Sequence, residues 1–169
     1  KPDTITLGKD GFHHFYGHGE KGSQIARQIL RRLKFDNETI HKVTALVLHH
    51  DYGSSMMPDE QMVRKAANKI GKDILPLLFL VRRADIGAQS EYQRAKKLKI
   101  LEAWEDGYDR MLQRKECVSL KDMAVTGKDL IACGMAPGKE LGVTLQNLLK
   151  VVLENPEYNT KEYLLSLIK

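Results

Sequence analysis

Residues 40–51, IHKVTALVLHHD, decide the fold prediction because they combine a helical spacing of apolar residues with two adjacent histidines. Ile40, Val43 and Val47 recur at the three- and four-residue spacing of one helix face. His50 falls on the same face, whereas His49 points about 100° away, which is one residue step on a helix. The stretch therefore predicts an amphipathic helix that ends in an imidazole pair.

The His49-His50 pair is open to two interpretations. Imidazoles bind divalent metal ions when carboxylates and further histidines arrive from elsewhere in the chain. Protonated histidines also complement the dipole at the C-terminus of a helix, with one ring packed in the core. The dipeptide alone favours the second interpretation, since clustered ionisable groups mark functional sites only in a statistical sense.

Length and composition predict one globular domain with room for a small appendage. The chain has 169 residues, of which 42% are hydrophobic, and this is enough for a sizeable core. A net charge of +5 permits a nucleic-acid partner without requiring one. Cys117 and Cys133 are not spaced as C-x-x-C, so we expect a reducing, cytoplasmic location. The longest apolar run, residues 74–81, is too short to span a bilayer.

The spacing of apolar residues predicts an all-α fold: a helical bundle with a short N-terminal β-hairpin and a small C-terminal helical segment. The hairpin is expected at residues 4–7 and 12–15, on either side of a glycine-rich turn. Long helices are expected over about 18–33, 36–50, 58–70, 73–85 and 90–116. Short helices separated by turn residues follow, so we place a domain boundary between 1–116 and 117–169.

Two of these helices carry predictions about burial. The helix from His18 is expected to bury a face made of residues 25, 26, 29, 30 and 33. The helix from Asp73 is apolar on every side over residues 74–81, so it is expected to be central. Pro76 is tolerated there because it falls in the first turn.

Four side chains at the ends of these elements could bind a metal ion: His18, His49, His50 and Asp85. A buried Asp85 needs a cation or a hydrogen-bond donor, and a salt bridge to Arg82, Arg83 or Lys97 is the alternative to metal ligation. These ligand types suit Mg²⁺, Mn²⁺, Fe²⁺ or Ni²⁺. No cysteine belongs to this group of four side chains, which argues against a thiolate zinc site. Such a metal polarises a phosphoryl oxygen and generates hydroxide for attack on phosphorus. Hydrolysis of this kind usually needs one more carboxylate, and Asp51 is the other candidate nearby.

Basic residues suggest contacts with a phosphate backbone. Arg94, Lys96, Lys97 and Lys99 form a cationic run without an acid, which is either a solvated helix face or a phosphate-binding one. Two glycine turns, Gly127-Lys128 and Gly138-Lys139, each lead into a helix, where backbone N–H groups favour anions. Glycines that only mark where helices begin and end explain these turns equally well.

Several of these residues occur together in a known family. Phe15-Tyr16-Gly17-His18 followed by Gly22-x-x-x-Ala26, and the helix closing in His49-His50, resemble the HD domain of bacterial CCA-adding tRNA nucleotidyltransferases and their poly(A) polymerase relatives. Arg83-Ala84-Asp85 ahead of Ser90-Glu91-Tyr92 also fits. The tail resembles the C-terminal, tRNA-facing segment of the same family, and its motif is Leu120-Lys-Asp-Met-Ala-Val-Thr-Gly127-Lys-Asp to Pro137-Gly138-x-x-Leu141-Gly142-x-x-Leu145.

The resemblance implies an HD-domain-like fold, a role in tRNA processing and roles for the residues above. His18, His49, His50 and Asp85 correspond to HD-type metal ligands. Arg94, Lys96, Lys97, Lys99, Gly127, Lys128, Gly138 and Lys139 would face the acceptor and TΨC arms of tRNA. In the family, the His-Asp dyad directly precedes a Lys-Pro like Lys1-Pro2, so we expect this chain to be a fragment that lacks the dyad and the upstream nucleotidyltransferase domain. Alone, such a fragment should neither use ATP and CTP to add CCA nor hold a complete HD site.

Three hypotheses follow. The first is the HD and C-terminal tRNA-binding region of a tRNA nucleotidyltransferase, with tRNA and the upstream domain as partners. The second is a metal-dependent HD phosphohydrolase that acts on phosphomonoesters or 2′,3′-cyclic phosphates. The third is a helical interaction module without RNA affinity. Salt-dependent tRNA binding distinguishes the first, and metal content distinguishes the second.

Overall fold

The computed structural model, which describes residues 4–7, 11 and 13–168, confirms the all-α class. Two short antiparallel strands, β1 (Thr6–Leu7) and β2 (His13–His14), pair with Thr6 opposite His14. The helices are α1 (His18–Arg32), α2 (Asn37–His49), α3 (Glu60–Ile70), α4 (Leu75–Ala88), α5 (Arg94–Gln113), α6 (Gly127–Ala132), α7 (Lys139–Glu154) and α8 (Lys161–Ser166). Lys1 and Pro2, which carry part of the resemblance, and Phe12 of the predicted hairpin lie outside the described residues.

Side-chain caps explain where two helices begin. The Asp36 carboxylate accepts a hydrogen bond of 2.9 Å from the Thr39 N–H at the start of α2. The Asp59 carboxylate accepts one of 2.6 Å from the Met62 N–H at the start of α3. Gly71 ends α3 with φ 110°, a conformation that strains residues with a side chain. These starts and this stop agree with the sequence predictions.

The structure divides into two compact units. The first contains the described residues up to Ser55 together with Asp73–Leu101, and the second contains Met56–Lys72 and residues 102–168. The predicted boundary near residue 117 does not coincide with this division, because α3 and the part of α5 from Glu102 onward group with the C-terminal helices. As a statement about independently folding domains, that boundary stays a prediction.

In the first unit, α1 and α2 approach each other closely along a glycine face. A Cβ atom on Gly19 would lie 2.6 Å from the carbonyl oxygen of Leu48, and one on Gly22 would lie 3.0 Å from a methyl group of Val47. The predicted buried face of α1 is wrong: Ile25 and Ile29 are each 42% exposed, Leu33 is 58% exposed, and Ala26 and Leu30 are only half-buried. The helix packs on its small residues instead, because only they allow this short separation.

The apolar helix α4 is less central than predicted. It buries one face, made of Leu75, Leu78, Phe79, Arg82 and Ile86. Leu80, however, is 63% exposed, and Asp85 is exposed rather than buried. Leu80 lies about 140° around the helix from Leu75, so it points away from the buried face. Among the described residues, no helix is both long enough and apolar enough to cross a bilayer.

The second unit has a closed core. Five side chains from α3, α5, α6, α7 and α8 are at most 1% exposed, and they are Val63, Trp104, Leu130, Val152 and Leu164. The buried Arg64 guanidinium pairs with Glu116 at 3.0 Å and also donates to the carbonyls of Leu153 and Glu154. A single side chain thus satisfies carbonyl groups at the C-terminus of α7, which have no partner inside the helix.

Candidate metal centre and basic residues

His18 is the first residue of α1, and the turn before the helix orients its ring. Gly17 adopts a left-handed conformation with φ 71°, which a residue without a side chain takes up easily. The His18 Nδ1 lies 2.6 Å from the carbonyl oxygen of Phe15. Because a carbonyl can only accept, Nδ1 carries the hydrogen and donates it. The lone pair of His18 therefore lies on Nε2.

His50 is oriented in the same way at the other end of its helix. It follows the last residue of α2, and its Nδ1 lies 2.8 Å from the carbonyl oxygen of Val47. This carbonyl likewise requires a hydrogen on Nδ1 and leaves the lone pair on Nε2. Both rings thus use a backbone carbonyl three residues earlier in the chain to fix the tautomer that binds metal ions through Nε2.

The two Nε2 atoms and one carboxylate oxygen converge. The His18 and His50 Nε2 atoms are 3.0 Å apart, and the rings meet edge to face. The Asp51 Oδ2 lies 3.0 Å from the His18 Nε2 and 3.4 Å from the His50 Nε2. Two lone pairs this close repel each other unless a positive charge lies between them. The cluster therefore requires either a shared proton or a metal ion.

The donor set fits a divalent metal ion. In an octahedral site with metal–ligand distances of roughly 2.1 Å, neighbouring ligand atoms lie about 3.0 Å apart, which is close to the separations in this cluster. Two histidines and one carboxylate on one face of a metal ion leave further positions open, as in the facial triads of iron proteins. Among the described residues, no other group of three metal-binding side chains converges in this way.

The structure brings together only part of the predicted ligand set. His18 and His50 belong to the cluster, with Asp51 as the carboxylate, and Asp51 lies in the turn directly after α2. His49 packs edge-on against the Tyr52 ring, 6.3 Å away, and is not part of the cluster. Asp51 is the carboxylate that the sequence offered as the other candidate beside the histidine pair.

Asp85 also lies apart from the cluster, although it lines the same pocket. Its carboxylate accepts a hydrogen bond of 2.6 Å from the Gln89 side-chain amide. The pocket, of about 280 Å³, belongs to the first unit and is lined by residues that include His50, Asp51, Arg82, Asp85, Lys96 and Lys97. Gln89 is also a lining residue, and its amide oxygen accepts a hydrogen bond from the Lys97 ammonium.

The predicted RNA-binding residues of the first unit fall into two groups. The Arg94 guanidinium donates to the Gln89 carbonyl at 2.6 Å, and Lys97 bonds the Gln89 side chain, so both help to join α4 to α5. Lys96 and Lys99 are exposed. Only the second group has side chains that extend into solvent.

Both predicted residue pairs of the second unit lie at helix starts. Gly127 begins α6 beside Leu141, whose methyl group would be 3.1 Å from an added Cβ, so this glycine serves packing. Gly138 precedes α7 with φ 157°, has open space around it and provides no side-chain cap. Lys128 and Lys139 are exposed. The start of α7 therefore offers free backbone donors next to a lysine.

A capping box makes the start of α6 stable. Thr126 donates to the Asp129 carboxylate through its backbone N–H and its hydroxyl, and Lys161 pairs with the same carboxylate. The hydrogen bonds from Lys161 and Thr126 hold the pKa of Asp129 well below its usual range. Asp129 therefore stays ionised and keeps the turn before α6 in place.

Fold and site together define an all-α protein with a cluster of two histidines and one aspartate at the ends of neighbouring helices. Residues 19–168 match the family described as tRNA nucleotidyltransferase domain 2, and the chain belongs to this family. The family resemblance noted in the sequence is thereby confirmed.

Two curated relatives are similar over most of the chain. A CC-adding tRNA nucleotidyltransferase from Thermus thermophilus is 32% identical over 158 residues, which are 90% of this chain and 32% of the relative. An A-adding tRNA nucleotidyltransferase from Deinococcus radiodurans is 28% identical over 155 residues, which are 88% of this chain and 34% of the relative. The chain thus spans about a third of the length of these relatives. No solved structure matches it.

Proposed function

We propose that the chain is the tRNA-docking helical region of a tRNA nucleotidyltransferase. In this proposal, a nucleotidyltransferase domain of the full-length protein uses ATP and CTP to add nucleotides to tRNA 3′ ends. The observation that carries the proposal is the family match over residues 19–168, together with relatives named for CC and A addition. The helical region contributes a surface that holds the tRNA in place.

Exposed lysines and free backbone donors support this docking role. Lys128 and Lys139 are exposed at the starts of α6 and α7, and Lys99 is exposed on α5. Lysine side chains and helix N-termini bind phosphate groups without reading bases. Double-helical RNA is recognised largely through its shape and its backbone, so contacts of this kind suit a protein that must accept many tRNAs.

The test is tRNA binding measured by filter retention across a salt series. We expect affinity to fall as salt rises, with a log–log slope of about −0.7 to −0.9 per phosphate contact. Lys139→Glu should weaken binding and reduce the slope by about one contact. Lys150→Glu is the matched control, because Lys150 is exposed near the other end of the same helix. Affinity that ignores both salt and the Lys139 reversal would contradict the docking role.

A second candidate function is supported by the His18–His50–Asp51 cluster: metal-dependent hydrolysis of phosphomonoesters or 2′,3′-cyclic phosphates. These three side chains would hold a divalent ion, with Mg²⁺, Mn²⁺, Fe²⁺ and Ni²⁺ as candidates. A bound ion of this kind polarises a phosphoryl oxygen and activates water. The backbone carbonyls of Phe15 and Val47 keep both Nε2 atoms turned toward the ion position.

Mn²⁺ binding, measured by electron paramagnetic resonance, tests this metal centre directly. His50→Ala should abolish binding, since it removes one of three ligands. His49→Ala is the matched control, because the neighbouring histidine contacts Tyr52 instead of the cluster. If the wild-type chain binds no Mn²⁺, or if both variants lose it equally, the proposed ligand set is wrong. Hydrolysis of a cyclic phosphate is measured only after binding is established.

A further inference from the structure

We infer that the pocket beside the His18–His50–Asp51 cluster binds a terminal phosphate group, with Arg82, Lys96 and Lys97 as the residues that recognise it. This inference deepens the second candidate function and rests on the proposed metal centre. It also gives Lys96 and Lys97 a role that differs from general contact with the tRNA backbone. The ligand is a phosphate dianion, either free or at the end of a nucleotide or RNA chain.

The pocket lining contains cationic side chains as well as two residues of the cluster. His50 and Asp51 form one part of the lining, while Arg82, Lys96 and Lys97 form another, all within the first unit. Arg82 is 5% exposed, so its guanidinium is held inside the protein and donates to the Tyr52 carbonyl at 3.3 Å. A planar guanidinium and ammonium groups are the side chains that proteins use for phosphate.

Gln89 fixes Lys97 at the pocket wall. Its side-chain oxygen accepts a hydrogen bond from the Lys97 ammonium, and its side-chain nitrogen donates to Asp85. The Gln89 backbone carbonyl in addition accepts a hydrogen bond from Arg94. A flexible lysine that is held in this way loses less conformational entropy when it binds an anion. Lys99, two residues further along α5, is exposed and does not line the pocket.

Size and charge select the ligand class. The volume of about 280 Å³ is just below the roughly 300–1,000 Å³ range of ligand pockets, so it suits a phosphate with part of an attached sugar better than a whole nucleotide. Three cationic side chains face two carboxylates, Asp51 and Asp85, in the lining. A divalent ion at the cluster adds two positive charges, so the occupied site complements a dianion better than a phosphodiester monoanion.

Isothermal titration of the 169-residue chain tests the inference, with inorganic phosphate as the probe in the presence and absence of Mn²⁺. We expect wild-type protein with Mn²⁺ to bind phosphate, and Lys97→Met to weaken this binding at least about tenfold, which is the effect of losing one charged hydrogen bond. Mn²⁺ affinity should be unchanged in Lys97→Met. Lys99→Met is the matched control and should leave phosphate affinity at the wild-type value. Lys96→Met is a second pocket variant in case Lys97→Met disturbs the join between α4 and α5.

Further titrations with 3′-AMP and 2′,3′-cyclic AMP identify the source and charge of the phosphate. Tighter binding of 3′-AMP than of inorganic phosphate indicates a terminal phosphate on a nucleotide or RNA chain, and equal binding indicates free phosphate; both support the dianion. Tighter binding of 2′,3′-cyclic AMP, a monoanion, than of either dianion overturns the inference that the pocket prefers a phosphate dianion.

The outcomes separate this inference from the proposed metal centre. Mn²⁺ binding without phosphate binding overturns the pocket assignment and leaves the metal centre standing. Phosphate binding that depends on Lys97 and not on Lys99, in a chain that binds no Mn²⁺, supports the pocket and overturns the metal centre. If Lys97→Met and Lys99→Met lose phosphate affinity equally, phosphate binds to a diffuse basic surface and the inference is overturned.

Discussion

The two compact units bury their apolar side chains to very different degrees. In the second unit, Trp104 and Val63 are each 1% exposed and Leu130 is fully buried. In the first unit, Leu33 is 58% exposed and Leu80 is 63% exposed, although Leu80 belongs to a strongly apolar stretch. The second unit therefore has the larger apolar core, although both units also leave apolar side chains in contact with solvent, as Val143, 51% exposed, shows for the second.

The two units also differ in what their partly or fully buried polar side chains bind. In the second unit, the buried Arg64–Glu116 pair completes the hydrogen bonding of a helix end. In the first unit, backbone carbonyls orient the His18 and His50 rings through Nδ1, and the two Nε2 atoms meet beside the Asp51 carboxylate. Buried polar groups that are fully satisfied maintain a fold, and those that keep one atom available for a ligand are candidates for chemistry.

Loss of the buried ion pair should have the largest effect. Arg64→Met removes the buried partner of the Glu116 carboxylate and leaves it only the contact with Arg114 at the surface, and loss of a buried partner typically lowers the free energy of unfolding by about 3–5 kcal/mol. Urea denaturation measures this change. Arg114→Met is the control, because Arg114 binds Glu60 and the other oxygen of Glu116 from the surface. If Arg114→Met lowers the free energy of unfolding as much as Arg64→Met does, burial of the Arg64–Glu116 pair is not the source of the stabilisation.

A clash between α1 and α2 should have an intermediate effect, and it tests how the first unit positions His18. Gly19→Ala places a methyl group 2.6 Å from the Leu48 carbonyl oxygen, so the helices must separate. We expect a loss of about 1–3 kcal/mol in the free energy of unfolding, as for other overpacked sites. Mn²⁺ affinity should fall as well, because His18 moves away from His50.

Gly142→Ala in α7 provides the comparison for that variant. An added Cβ on Gly142 meets no atom within 4 Å, and alanine favours the helix over glycine by up to about 1 kcal/mol. This variant should be as stable as the wild type or more so. Unchanged Mn²⁺ affinity in Gly19→Ala would mean that close helix contact does not position the cluster.

The smallest effect is expected at the capping box of α6. The lowered pKa of Asp129 means that this carboxylate stabilises the fold above its unfolded pKa of about 3.9, and that the contribution disappears as the pH falls through the lower folded value. Asp129→Asn should therefore lower the melting temperature at pH 7, and the difference from wild type should shrink below about pH 4. Thermal melts at several pH values measure this. Asp109→Asn, at an exposed position on α5, is the control, and an equal decrease there would contradict a specific role for Asp129.

Local patterns predicted most of the elements. The apolar spacing from Ile40 to Val47 predicted α2, and the predicted ranges 36–50 and 58–70 agree closely with the bounds of α2 and α3. Caps and periodicity succeed because they depend on residues within one or two helical turns.

Contacts between elements were harder to predict. The buried face of α1 was misjudged because apolar residues outnumber the glycines, and only the approach of α2 shows that Gly19 and Gly22 form the contact. The predicted set of metal ligands was only partly correct for a related reason. Whether His49, Asp51 or Asp85 joins His18 and His50 depends on how the chain turns after α2, and periodicity contains no information about that turn.

The hydrogen bonds that orient His18 and His50 come from the main chain, since the acceptors are the carbonyls of Phe15 and Val47. A substitution can change a side chain but cannot delete a main-chain oxygen. Where side chains orient the ligands of a metal centre, their replacement weakens the centre. Here we expect Phe15 and Val47 to tolerate replacement by other apolar residues with both imidazoles still in place, so evolution can alter the surroundings of the pair while its geometry persists.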